Sequence, residues 1–285
     1  MPEHTTSSGW TRFWERGGWW KALLVAVVYY GVYQLMGLLV DAVFPEQSGV
    51  RGDDGSGPQI FFDIALPILL TSILLVAFAI STGWLRELFA PQTIRGRGWM
   101  WVGVAVVLAI NAASFASLDF AAAGAPVILS WLFTGLCVGF AEEVVTRGFV
   151  VNLMRKAGHP EIAVGLVSAG VFAALHAGNV FTSDQGVGTT ALQVVYTFFF
   201  GLCMYLALRV TGNLIWPILI HASTDPTIFL HGEYPAASNP LSILSSLSTF
   251  LVIGTGIVLL IAFIVSERRR ARSGLTGTAA RDIPA

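Results

Sequence analysis

Residues 127–150 read VILSWLFTGLCVGFAEEVVTRGFV: 24 residues, apolar throughout except where Glu142, Glu143 and Arg147 interrupt the run near its end. An apolar stretch of about 20 residues crosses the hydrocarbon core of a bilayer as a helix, because only internal hydrogen bonds can satisfy its backbone there. The same signal recurs along the chain, over 22–44, 59–82, 99–118, 161–181, 189–208, 214–230 and 243–265. The expected fold class is therefore all-α, a polytopic membrane protein of about eight transmembrane helices. Composition agrees, since the 285 residues are 55% hydrophobic and only 12% charged, against roughly 25% charged in soluble domains. That excludes a soluble single domain. A net charge of −1 with no long basic tract before the C-terminal region excludes an ordinary nucleic-acid partner. Cys137 and Cys203 both sit inside apolar runs, which leaves neither a disulfide framework nor a cysteine-based zinc site.

The loops sort by charge. With eight spans, Arg12, Arg16, Lys21, Arg86, Arg95, Arg97, Arg155, Lys156, Arg209, Arg268, Arg269, Arg270, Arg272 and Arg281 fall on one side. The loops of the other side hold Arg51 among Glu46, Asp53, Asp54, Asp119, Asp184 and Glu233. Excess Lys and Arg mark cytoplasmic loops, so both termini are expected inside, in what is read as a bacterial plasma membrane because arginine outnumbers lysine 14 to 2. The expected organisation is a cytoplasmic N-terminal segment, 1–21, a transmembrane domain, 22–265, and a cytoplasmic tail, 266–285. Trp10, Trp14, Trp19 and Trp20 read as an interfacial belt before the first span, the loop 45–58 and the tail after Ser273 as polar and free of chemistry.

Ionisable side chains are expensive inside a membrane and mark function. They gather in the second half of the chain: Glu142, Glu143 and Arg147 on the fourth span, His176 on the fifth, His221 and Asp225 on the seventh. Asp41 and Asp63 lie near span ends and read as interfacial. Glu143 and Arg147 are spaced i, i+4, as are His221 and Asp225, so each pair shares a helical face. Glu142 lies about 100° round its helix from Glu143 and is left free for another task. Three titratable groups on three helices call for a polar cavity. A carboxylate beside a histidine suits general-base activation of water, while a second histidine and its neighbour suit the oxyanion of a cleaved carbonyl. The same set, Glu142, His176, His221 and Asp225, suits a divalent metal such as zinc, with the attacking water in its open position. The residue types fit both routes. His231, His159 and the run Phe198 to Phe200 read as surface, loop and packing residues; of Asn111, Asn179 and Asn213, only Asn213 draws a hint of function from its place ahead of His221.

The segments Glu142-Glu143-Val144-Val145-Thr146-Arg147, Phe172-Ala173-Ala174-Leu175-His176 and His221-Ala222-Ser223-Thr224-Asp225 fit E-E-x-x-x-R, F-x-x-x-H and H-x-x-x-[ND]. In this order, and with the lead Thr211-Gly212-Asn213-Leu214 and Pro217, the chain resembles the CAAX protease and bacteriocin-processing (CPBP, or Abi) family of intramembrane proteases over about 127–230. The resemblance implies an eight-helix fold with its site open toward the cytoplasmic half. It implies that Glu142 and His176 activate water, that His221 and the residue four later form the oxyanion site, and that Glu143 and Arg147 orient the centre. Asp225 stands where the eukaryotic CAAX-processing members usually carry Asn. The expected partners are a peptide or membrane-protein substrate and the lipid bilayer. Two other classes compete: a non-catalytic scaffold or immunity protein, which would scatter the motif residues over lipid-facing surfaces, and a proton- or metal-coupled transporter, which would place acidic groups deep in the first three spans.

One depth is awkward. At 1.5 Å per residue, Glu142 and His221 lie roughly 10 to 12 Å from the expected inner ends of their spans, and His176 about 22 Å from its own.

Overall fold

The computed structural model describes residues 8–49, 55–182, 186–236 and 239–279, with no side chain described beyond 273. A short helix α1, Gly9–Glu15, precedes eight longer ones: α2 Trp19–Val43, α3 Gly57–Thr82, α4 Gly98–Ala116, α5 Phe120–Lys156, α6 Glu161–Ala177, α7 Val187–Thr211, α8 Ile215–Glu233 and α9 Ser248–Ala279. Arg51, Asp53, Asp54, Asp184 and Arg281 lie outside the described residues. The protein is an all-α membrane protein, with seven helices among the described residues long and apolar enough to cross a membrane. The eighth, α8, falls short of that count. His221, Asp225, His231, Glu233 and two prolines dilute its apolar residues, and it holds its place by packing on α5 and α4.

The fourth span differs most from its expected limits. At its start Gly124 takes φ 71°, a conformation that favours glycine, and Pro126 opens the helix proper. At its other end the helix widens into a π-helical stretch, Val144–Val150, directly after the two glutamates, then returns to α geometry through Lys156. It therefore runs six residues past the expected end. This extension removes the awkward depth: Glu142 lies about 21 Å from the end of α5 and His176 about 22 Å from the start of α6, and Arg155 and Glu161 tie those two ends together at 2.8 Å.

Helix α8 reaches the same level differently, by beginning inside the bundle. Gly212 closes α7 in the left-handed conformation (φ 76°). Asn213 then accepts from Ile215 N at 2.8 Å and donates to Phe89 O at 2.9 Å, which fixes where α8 starts. Leu214 there lies against Gly148, two turns of α5 in from Lys156. The role of Asn213 is thus to cap and anchor.

Two polar layers close the ends. At one, Lys156 pairs with Glu15 at 2.7 Å and Glu87 at 2.9 Å, and Arg209 pairs with Glu161 at 2.9 Å and Glu267 at 3.1 Å. Burial pushes the Glu15 carboxyl up, but Lys156 and the Trp84 indole outweigh it and hold the group below its ordinary value, so the clamp stays charged at neutral pH. At the opposite end Asp119 N donates to Tyr234 O, Ala236 N to Ser117 O, and Gly49 N to Asp63. The basic loops thus gather at one end of the bundle, as their charge predicts.

Candidate active site

Helices α5 and α8 approach backbone to backbone. Gly135 and Gly139, one turn apart, allow it: a Cβ on Gly139 would lie 2.7 Å from Ala222 N and 2.8 Å from Ile218 O, and one on Gly135 2.5 Å from Ala222 O. A small-xxx-small stripe is the ordinary means of close helix packing in membranes. It brings His221 onto the glutamate turn of α5. This glycine pair was readable in the sequence beside the acidic motif, and it is what couples the first motif to the third.

The six expected site residues converge. Glu143 is fully buried; its Oε1 forms an ion pair with Arg147 Nη1 at 3.1 Å and accepts from His221 Nδ1 at 2.9 Å. Arg147 is held in turn by the Gly201 carbonyl, to which Nη2 donates at 2.6 Å, by Thr146 Oγ1, and by the Phe172 ring 4.6 Å beneath its guanidinium. A side chain at 201 would meet Arg147 Nη2 at 3.1 Å, so the missing Cβ makes room for the guanidinium. This buried triad adds His221 to the expected pair of Glu143 and Arg147. His221 spends its Nδ1 on Glu143, while its Nε2 faces Asp225 Oδ2 at 3.5 Å and Glu142 Oε2 at 4.0 Å.

Glu142, His176, His221 and Asp225 line one cavity of about 640 Å³. The Nδ1–H of His176 donates to the Phe172 carbonyl at 2.9 Å, which leaves Nε2 for the cavity. Glu142 Oε2 is buried and makes no hydrogen bond to the protein. An unsatisfied buried carboxylate oxygen is costly unless water or a ligand answers it. Phe200 does more than pack, since it lines the cavity and meets the His221 ring at 5.2 Å between centroids. Asn111 bridges α4 to α8 by donating to Ser223 and Thr224, both at 2.9 Å, and Asn179 donates to Gln193 at 3.0 Å.

Among the described residues no group of three or more His, Cys, Asp or Glu is placed to hold a metal ion. His221 gives one nitrogen to Glu143 and His176 one to a carbonyl, so each ring has a single nitrogen to offer.

Residues 124–227 match the model of the Rce1-like family, described as type II CAAX prenyl endopeptidase Rce1-like. The match agrees with the resemblance carried by the three motifs and spans all six residues. No curated protein matches the chain. The matched stretch is about a third of the chain, so the match reports a similarity to that family over the segment that carries the site.

Proposed function

We propose that this protein is an intramembrane endopeptidase that cleaves a peptide bond deep within the bundle with water activated by Glu142 and His176. The observation that carries the reading is the unanswered Oε2 of Glu142, buried in a cavity that also receives His176, His221 and Asp225. A water held there can give its proton to Glu142 as its oxygen adds to the scissile carbonyl carbon, with His176 Nε2 orienting it. The carbonyl π pair moves onto oxygen and makes a tetrahedral oxyanion. The C–N bond then breaks, and Glu142 returns the proton to the leaving amine. Glu143 and Arg147 do not touch the reacting atoms; they fix the His221 ring against that wall of the cavity. The substrate is a short peptide or the tail of a membrane protein; the cavity runs from Glu142 toward Thr189, Phe229 and Ser248, at the end of the bundle opposite the basic loops.

The route needs no metal. Treatment with a chelator should leave cleavage of a fluorescence-quenched peptide pool within about threefold, and Asp225→Asn should hold or raise the rate because an amide donates at any pH. Loss of activity in both experiments, with zinc restoring the chelated enzyme, would instead make Glu142, His176, His221 and Asp225 metal ligands.

Orientation is part of the same proposal. Single cysteines placed in the N-terminal segment, the loop around Arg95 and the C-terminal tail should all resist an impermeant thiol reagent in intact cells. Labelling of the C-terminal tail from outside would contradict it.

A further inference from the structure

The oxyanion site that the motifs suggest is short of donors. An ionised Asp225 only accepts hydrogen bonds, and His221 has Glu143 on one nitrogen and two carboxylates facing the other. Among the other polar groups lining the cavity, Thr197 and Thr224 return their hydroxyls to carbonyls of their own helices, and Gln34 bonds Tyr30. Thr134 stands two turns of α5 from Glu142.

Helix α2 supplies what is missing. Tyr29 and Tyr33 are spaced i, i+4, so they share one face of α2, and both line the cavity. Glu142 lines the same cavity, as does Tyr196 on α7. No hydrogen bond from either hydroxyl to another group is found among the described residues, although Tyr29 is 5% exposed. A phenol is a donor at neutral pH and a stronger one than an alcohol, so it suits an oxygen on which negative charge develops.

On the reading that Glu142 activates water, we propose that Tyr29 and Tyr33 are catalytic residues whose hydroxyls donate to the oxyanion of the tetrahedral intermediate, the task that an amide at position 225 would otherwise share. As water adds, the carbonyl π pair moves to oxygen and accepts from a phenolic O–H; no proton leaves the tyrosine, and the bond weakens again as the carbonyl re-forms. The first long helix, outside the matched stretch 124–227, thereby becomes part of the active centre.

The test uses the full-length protein in liposomes with a fluorescence-quenched peptide pool, with and without a prenylated cysteine. Phenylalanine keeps each ring and removes only its hydroxyl, so Tyr29→Phe/Tyr33→Phe should fold with an unchanged thermal midpoint. It should lose about 100-fold in kcat with KM within about threefold, the loss expected for removed oxyanion donors. Adding Asp225→Asn should recover at least about 10-fold of it, since the amide restores a donor. The single variants show which hydroxyl dominates, and they stand in if the double variant fails to fold. The proposal falls if the tyrosine variants keep wild-type kcat while Glu142→Gln is inactive, an outcome that leaves the protease reading intact. It also falls if kcat drops together with the thermal midpoint and Asp225→Asn restores nothing, which assigns the tyrosines to packing. A Glu142→Gln variant as active as wild type removes the reading on which the proposal rests.

Discussion

Glu142→Gln should give a folded protein that cleaves peptide at least about 100-fold more slowly than wild type. Glutamine keeps the shape of the side chain and much of its hydrogen-bonding capacity, but it cannot take a proton from water. The buried Oε2 makes no hydrogen bond to the protein and only faces His221 Nε2 at 4.0 Å, so the substitution should change the thermal midpoint little. His176→Ala should cost a similar factor in rate, because it removes the second group that orients the water. Measured kcat and KM in liposomes, with folding followed in parallel, separate the two effects. Cleavage by Glu142→Gln at near the wild-type rate would show that Glu142 is not the base that activates the water.

Arg147→Ala should act on the fold first. Its guanidinium is buried between Glu143, Thr146, the Gly201 carbonyl and the Phe172 ring. Removing it leaves a fully buried carboxylate held only by His221 and a carbonyl without its donor. Breaking a buried pair in this way costs roughly 3 to 5 kcal/mol. Folded yield and thermal midpoint should therefore fall together with activity. A variant of normal yield and midpoint that merely turns over slowly would show that the arginine acts on the chemistry and not on the scaffold.

The contrast between these two residues was partly legible in the sequence. Helical spacing alone pairs Glu143 with Arg147 and sets Glu142 apart, and both features stand in the structure. Spacing also pairs His221 with Asp225, and the two face each other at 3.5 Å, but spacing does not report the ring's second partner. The ring is steered by a contact between helices, Glu143 to Nδ1, which depends on Gly135 and Gly139 letting α8 slide close to α5. No periodicity within one helix reports such a contact. The limits of the fourth span were hidden for another reason. Its C-terminal end, Val151–Lys156, is held by Arg155 and Lys156 pairing with Glu161, Glu15 and Glu87, so it continues as a helix beyond the apolar run that hydropathy detects. Helix α8 is the converse case: site residues lower its apolarity, yet packing keeps it helical. The tyrosines of α2 stay silent in sequence because an i, i+4 aromatic pair on an apolar helix looks like ordinary packing. Only the structure shows that they line the same cavity as Glu142.

The account rests on water attacking the peptide directly, and the isotopic fate of that water tests it most directly. In a single turnover run in ¹⁸O-labelled water, one ¹⁸O should enter the new carboxyl group of the product, and the intact mass of enzyme quenched during turnover should stay that of the unmodified chain. An enzyme that gains the mass of the acyl fragment before product appears would place a protein nucleophile at the centre and contradict the mechanism.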